Sequence, residues 1–350
     1  MNNRILFPFL LFILSLNSCS QQDRPSQIEI NGRTMGTTYD IKYVMPGQPV
    51  SYQEGIDSVL RVVNQSMSTY IDTSIISIFN KSKDTTHWHA VDLHFQIVFM
   101  ESVDVYVQSS GAFDPTVMNL VNYWGFGFED AYKNLSLKDT ISVDSILKFT
   151  GLDLIDYHFN PNQELVLRKK HPNVSLDFGA IAKGYGVDVV SDYLVSRGIQ
   201  NFMVEIGGEV RTMGKNVNDR VWRIGVEKPT TEFGNDDNEF QSIIELNNSA
   251  LASSGNYRNY HEINGEKIGH TLNPKTGFPE TNRLLSITVI ADNAMRADAY
   301  ATAAMVLGHE KAFELIESNP ILEALLVYLG ENGEIEVMMT EKMSDLIIEI

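Results

Sequence analysis

A single cysteine, Cys19, stands in 350 residues, so the chain cannot close a disulfide on itself. No His or Lys lies beside it in sequence, which leaves a catalytic thiolate without support. Cations are scarce as well: 27 Lys and Arg face 45 Asp and Glu, for a formal charge of -18. Without a basic stripe interleaved with aromatics, a nucleic-acid surface is excluded, because phosphate contacts need clustered Lys and Arg. An anionic ligand must instead be held by backbone donors, a metal ion or a few local cations. The chain also lacks internal repeats and low-complexity blocks.

What is present begins at the N-terminus. Met1 to Arg4 carries a basic residue, Ile5 to Leu16 is apolar, and Asn17-Ser18-Cys19 follows. A basic start with an apolar core too short for a comfortable membrane span predicts a secretion signal. Leu16-Asn17-Ser18-Cys19 resembles the bacterial lipobox, in which the cysteine becomes the lipid-bearing first residue of the mature protein. We expect residues 1–18 to be a signal peptide, residues 19–27 the lipidated Cys19 with a polar tether, and residues 28–345 the folded domain. The hydrophobic fraction of 43% supports a globular body with a substantial core.

Ile28 to Ile41 reads as paired strands around the turn-favouring dipeptide Asn31-Gly32. Tyr52 to Met67 has helical periodicity, with Ile56, Leu60 and Val63 facing inward. A second helix is expected over Asp92 to Ser109, ended by Gly111, and a peripheral insertion over Lys133 to Thr150 with a short helix near Val143 to Phe149. Strands are expected at Asn201 to Ile206, Val221 to Val226, Gln241 to Leu246 and Leu284 to Ile290. A helix over Asn293 to Leu307 and a closing strand pair, Leu322 to Leu329 with Glu334 to Met339, complete one mixed α+β domain. Asp236 to Glu239 reads as a solvated acidic loop.

The most informative stretch is Ser175 to Asp188. Val174, Leu176 and Phe178 alternate like the end of a strand. From Ile181 the apolar spacing becomes four, which predicts a helix ended by Gly198. Small residues at such a helix mouth allow anions to approach backbone N–H groups, though an ordinary tight connection has the same pattern. Asp298 and Thr302, four apart on a predicted helix, would present two hard oxygen ligands on one face. The competing reading pairs Asp298 with Arg296 and lets Thr302 bond its own helix. Asp114, held extended before Pro115, is either a carboxylate for a heterocycle or an Asp-Pro turn. Ile206-Gly207-Gly208-Glu209 and Ala252-Ser253-Ser254-Gly255 read as close-approach turns after strands. His270, before the turn Thr271 to Gly277, is a candidate general base. His87 and His89 lack a third ligand at metal spacing and read as a surface strand.

In order along the chain, these segments resemble the ApbE family of FAD:protein FMN transferases. The matching pieces are Met35 to Tyr39, Met67 to Tyr70, Gly111 to Val117, Tyr123 to Gly127, Leu176 to Tyr185, Glu205 to Gly208, Ala252 to Gly255, His270 to Gly277, and Ala297-Asp298 through Thr302. The resemblance implies a T-fold-like single domain of two lobes with the flavin in the cleft between them. It implies FAD contacts from Met35, Tyr70, Ala112, Phe113, Asp114, Asp177, Lys183 and Thr271, and a Mg2+ ion held by the Ala180 carbonyl, Asp298 and Thr302. The implied reaction moves FMN to a threonine of an acceptor flavoprotein and releases AMP, with His270 and Asp298 as the catalytic pair.

The acceptors implied are subunits of NADH:quinone reductase or RNF-type complexes. Many family members are lipoproteins facing the periplasm, which agrees with Cys19. Two alternatives remain open at this level: a Mg2+-dependent FAD pyrophosphatase, and a non-catalytic flavin-binding lipoprotein. Asn273 and Glu209 stand where many relatives carry Asp, Gly186 where Ala is common, and Lys183 at a position that varies between Lys and Glu.

Overall fold

The computed structural model describes residues 25–127, 140–227, 240–255, 260–263 and 266–349. Eight strands form its main sheet: β1 (Ser26–Thr34), β2 (Thr37–Met45), β3 (Phe202–Ile206), β4 (Glu209–Met213), β5 (Ala250–Gly255), β6 (Leu284–Ala291), β7 (Glu323–Leu329) and β8 (Ile335–Met339). Their order across the sheet is their order along the chain, and every neighbouring pair is antiparallel. Helices fill the long excursions. Between β2 and β3 lie α1 (Gln53–Met67), α2 (Ile75–Lys81), α3 (Leu93–Gln108), α4 (Met118–Tyr123), α5 (Thr140–Leu147) and α6 (Ala182–Ser196). Between β6 and β7 lie α7 (Ala294–Leu307) and α8 (His309–Glu317).

Strand alternation divides the core between the two faces of this sheet. On one face Ile41, Val204 and Ile206 pack with Ile56 and Leu60 of α1 and with Val187, Val190 and Leu194 of α6. Ala252, Ile287, Val289 and Leu326 continue that face against the alanines of α7. On the other face Val210, Leu251, Ile290 and Leu325 meet Val226, Ile244 and Leu246, which belong to a three-stranded sheet of Trp222–Glu227, Phe240–Leu246 and Ile347–Glu349. The small side chains of α7 are thus explained by close packing on several sides: Ala297, Ala299, Ala301, Ala303 and Ala304 are fully buried. The domain is a single mixed α+β unit, as expected.

Three expectations are corrected. The first hairpin turns at Met35-Gly36, not at Asn31-Gly32. Both turn residues have positive φ, 50° and 76°, which is the backbone of a two-residue type I′ turn. Gly32 serves another purpose: a Cβ there would stand 2.5 Å from the Tyr39 ring, which lies directly on its backbone.

Val174 to Phe178 is extended but pairs with no strand among the described residues. Its alternate side chains are buried as expected, and its backbone is satisfied by the Asn80 side chain, which bonds both the N–H and the carbonyl of Leu176 at 2.7 Å. The Ala252-Ser253-Ser254-Gly255 segment is part of β5 at the centre of the sheet, not a turn beyond a strand. Ser253 shares a hydrogen bond there with Thr288 of β6.

The strand Glu209–Met213 was not foreseen; the surface strand expected around His87 and His89 is present as His89–Ala90, in a short sheet with the unforeseen strands Leu165–Lys169 and Ile155–Phe159. The acidic loop Asp236 to Glu239 and residues 133–139 of the expected insertion lie outside the described residues; the rest of that insertion holds α5.

Candidate active site

Asp188 and Gly184 of α6 set the geometry. They are four apart, so they share one helix face, and that face meets the start of α7. A Cβ on Gly184 would stand 2.2 Å from the Ala294 carbonyl oxygen, so only glycine permits this approach. The buried Asp188 carboxylate accepts the N–H groups of Ala294 and Met295 at 3.0 and 2.9 Å, satisfying orphan donors of the α7 N-terminus. Asn293 caps α7 through Arg296 N–H at 2.8 Å, and Arg211 adds an ion pair to Asp188 at 3.1 Å.

With the helices locked in this way, Asp298 of α7 faces the first turn of α6. It accepts the Gly184 N–H at 3.1 Å, and each of its oxygens lies 3.4 Å from the Lys183 ammonium. The same ammonium is 2.9 Å from Glu209 Oε1. Arg296, the competing partner for Asp298, is engaged with Glu101 and Asp292.

Burial works against the Lys183 charge, but the Asp298 and Glu209 carboxylates outweigh it and raise its pKa above that of an ordinary lysine. Burial pushes Glu209 up from the usual carboxylate range, against the pull of Lys183. Glu209 Oε2 is buried without a hydrogen-bond partner. One cation therefore serves two carboxylates, at the N-terminus of a helix that has no side-chain cap. Such a cluster presents hard oxygens for a divalent cation and a positive helix end for phosphate.

The strand-to-turn residues around this cluster are held by backbone geometry. Gly207 and Gly208, at φ 63° and 106°, make the turn that delivers Glu209. A Cβ on Gly207 would lie 2.8 Å from the Thr37 methyl and 3.4 Å from Lys183 Cδ. Met35, at the hairpin tip, reaches α6, where its Cε lies 2.8 Å from the position a Gly186 Cβ would take. A bulky residue in the left-handed region costs about 1–2 kcal/mol, and here it buys the contact with α6. Thr302 follows Asp298 by one turn and is half-buried, as is Ala180 just before α6.

A second group of predicted residues gathers beyond α3. Asp114 Oδ1 accepts both the N–H and the hydroxyl of Thr116, at 2.8 and 2.6 Å, so the Asp-Pro turn reading describes its present contacts. Burial raises its pKa to about 6. Ala112 and Phe113 are buried beside it. Asp177 joins this turn through its N–H, which donates to the Pro115 carbonyl at 2.7 Å. Its side chain accepts Gly179 N–H at 2.7 Å, and burial raises its pKa.

The Asn273 side chain organises the turn after His270 by accepting Lys275 N–H at 2.8 Å, while Trp124 Nε1 donates to the Gly277 carbonyl at 2.8 Å. Thr271 is buried, and its carbonyl accepts Glu280 N–H. His270 is exposed, its ring 6.3 Å from that of Phe126. Tyr70, in the loop between α1 and α2, is 72% exposed.

The structure thus unites Lys183 with Asp298, and Asp177 with the Asp114 turn. Two positioning residues escaped the sequence reading. Asp188 was foreseeable as a lone carboxylate among Val187, Val189 and Val190, four after a glycine. Glu209 was marked by its place after Gly207-Gly208 and by standing where many relatives carry Asp, but not as a partner of Lys183.

The sequence model of the ApbE family matches residues 35–326. The FAD:protein FMN transferase of Haemophilus influenzae is 38% identical over 324 residues, covering 91% of each chain. That of Vibrio cholerae is 39% identical over 327 residues, covering 91% of this chain and 93% of its own. The solved structure described as flavin transferase ApbE from Vibrio cholerae superposes with a TM-score of 0.81 at 36% identity, covering 92% of this chain and 99% of the other. The chain belongs to the ApbE family.

Proposed function

We propose that this chain is an FAD:protein FMN transferase that moves FMN from FAD to a threonine hydroxyl of an acceptor protein, with Mg2+ at the phosphates and AMP as the leaving group. The observation that carries this reading is the Lys183–Asp298–Glu209 cluster at the mouth of α6, in a chain whose relatives bear the name of that activity. Mg2+ suits the donors available, because the Asp298 carboxylate and the unpartnered Glu209 Oε2 are hard oxygen ligands. The Ala180 carbonyl, Asp298 and Thr302 would hold it. Bound there, it would neutralise charge developing on the phosphate oxygens.

The chain's own residues do the rest. Lys183 and the uncapped start of α6 attract the pyrophosphate. Met35, Tyr70, the Ala112–Phe113–Asp114 turn, Asp177 and Thr271 line up FAD along the two residue groups. The threonine oxygen forms a bond to the flavin-side phosphorus, the bond from that phosphorus to the AMP oxygen breaks, and the threonine proton passes to His270. Cys19 would tether the enzyme by lipid to the cell envelope, facing the periplasm. A subunit of an NADH:quinone reductase or RNF-type complex fits as acceptor.

The purified chain incubated with FAD, Mg2+ and such a subunit tests the reading: flavin comigrating with the acceptor on a denaturing gel is expected. Free FMN with AMP and no labelled acceptor would instead assign a pyrophosphatase, and unchanged FAD a flavin-binding protein.

A further inference from the structure

A cleft of about 340 Å³ lies between the hairpin and α1, lined by Gly32, Arg33, Thr34 and Tyr39 on one side and by Asp57, Arg61 and Asn64, among others, on the other. Three hydrogen bonds fasten its walls: Tyr39 OH donates to Asp57 at 2.6 Å, Asn64 to the Thr34 hydroxyl at 3.0 Å, and Gln53 to the Asn31 carbonyl at 3.2 Å. Two exposed arginines, Arg33 and Arg61, are among the lining residues. Four other arginines, Arg168, Arg211, Arg223 and Arg296, hold carboxylates; neither arginine of the cleft has an ion-pair partner among the described residues. In a chain with formal charge -18, two guanidinium groups against the single carboxylate of Asp57 give this cleft an excess of positive charge.

The cleft also runs along an open sheet edge. β1 ends the main sheet, and no strand pairs with its outer side among the described residues. The Asn31 carbonyl points outward to Gln53. Backbone groups of an antiparallel strand alternate in direction, so the N–H and carbonyl of Arg33 face outward too. The strand then leads to the reaction cluster. Met35, two residues on, touches α6 at Gly186, and Thr37 touches Gly207, on which Lys183 packs.

We propose that this cleft seats an extended acidic segment of the acceptor protein, which adds to the β1 edge at Arg33, pairs its carboxylates with Arg33 and Arg61, and so delivers its hydroxyl past the Met35 tip. The proposal rests on the transferase reading above. Edge pairing supplies sequence-tolerant backbone contacts and the arginines supply charge selection.

Membranes from a strain lacking the gene provide the unlabelled acceptor, and purified full chain with FAD and Mg2+ labels it, read by in-gel flavin fluorescence. In the double variant Arg33→Glu with Arg61→Glu, the membrane concentration giving half-maximal labelling should rise roughly 10-fold at low salt, with the maximal rate within about twofold and FAD affinity unchanged. Reversal of Arg220 and Arg283, outside the cleft, should change nothing. The parent's half-maximal concentration should rise with added salt and the double variant's should stay nearly flat. An unshifted half-maximal concentration in the double variant overturns the docking site while leaving transfer standing. Absence of any labelled protein with the parent chain overturns the transferase reading, and this proposal with it.

Discussion

Gly184 touches Ala294 so closely that a Cβ would fall 2.2 Å from the Ala294 carbonyl oxygen. The obstacle is backbone at the capped start of α7, which cannot swing aside. Gly184→Ala should therefore force α6 and α7 apart, with a loss of about 2–4 kcal/mol in urea unfolding, in the range of overpacked sites, and a parallel loss of flavin transfer. Gly186→Ala makes the contrast: its nearest obstacle is the flexible end of Met35, 2.8 Å away, so less than about 1 kcal/mol is expected. Equal losses in the two variants would refute this account of the interface.

Asp298→Ala should reduce transfer at least 10³-fold, since it removes the proposed ligand and leaves Lys183 beside the phosphates with Glu209 alone. The fold should survive, because Asp188 and Asn293 still cap α7. Circular dichroism, flavin transfer and Mg2+ titration by calorimetry on the same preparation decide the point. Full activity would remove Asp298 from the site.

His270→Ala should slow transfer by about 10² to 10⁴ if the imidazole takes the threonine proton. The acidic limb of the rate–pH profile should flatten in the variant. An unchanged profile would reduce His270 to a residue that positions the Thr271–Gly277 turn.

Asp114 carries a pH signature. Its folded pKa of about 6 lies above the ordinary aspartate value of 3.8, so the folded state binds the extra proton between those values. The stabilisation is complete below the unfolded value and is lost as pH rises through about 6. Asp114→Asn keeps an oxygen for both Thr116 bonds and has no charge to bury. It should be more stable than the parent by about 2–3 kcal/mol at pH 7.5, with the difference vanishing at about pH 3. Urea unfolding at the two pH values measures it. A constant difference would show that the carboxylate is not the titrating group.

Cys19→Ser should move the protein from the membrane fraction to the soluble fraction of cells and leave transfer in detergent-free assays unchanged. Retention in membranes would argue against the lipid tether.

Helix periodicity was legible where one face is apolar. Tyr52 to Met67 became α1 with Ile56, Leu60 and Val63 buried, and Asp92 caps α3 through Phe95 N–H. Turn signals were less dependable, since a glycine meets two different needs. Gly32 is there to admit the Tyr39 ring, and the strained Met35 turns the chain in its place. The extended Val174 to Phe178 segment was read as a strand because alternating burial looks the same whether the backbone bonds to a strand or to the Asn80 side chain.

The amino-acid order alone determined the chemistry available to this protein: which acids, which lysine and which small-residue turns. It could not bring Lys183 within reach of Asp298, 115 positions away, or reveal that Glu209 completes the pair. Those contacts depend on two helices approaching at Gly184 and on Asp188 capping α7, and such distances exist only once the backbone has closed. The arginines of the β1 cleft are likewise ordinary in sequence, and only the fold brings them to one cleft.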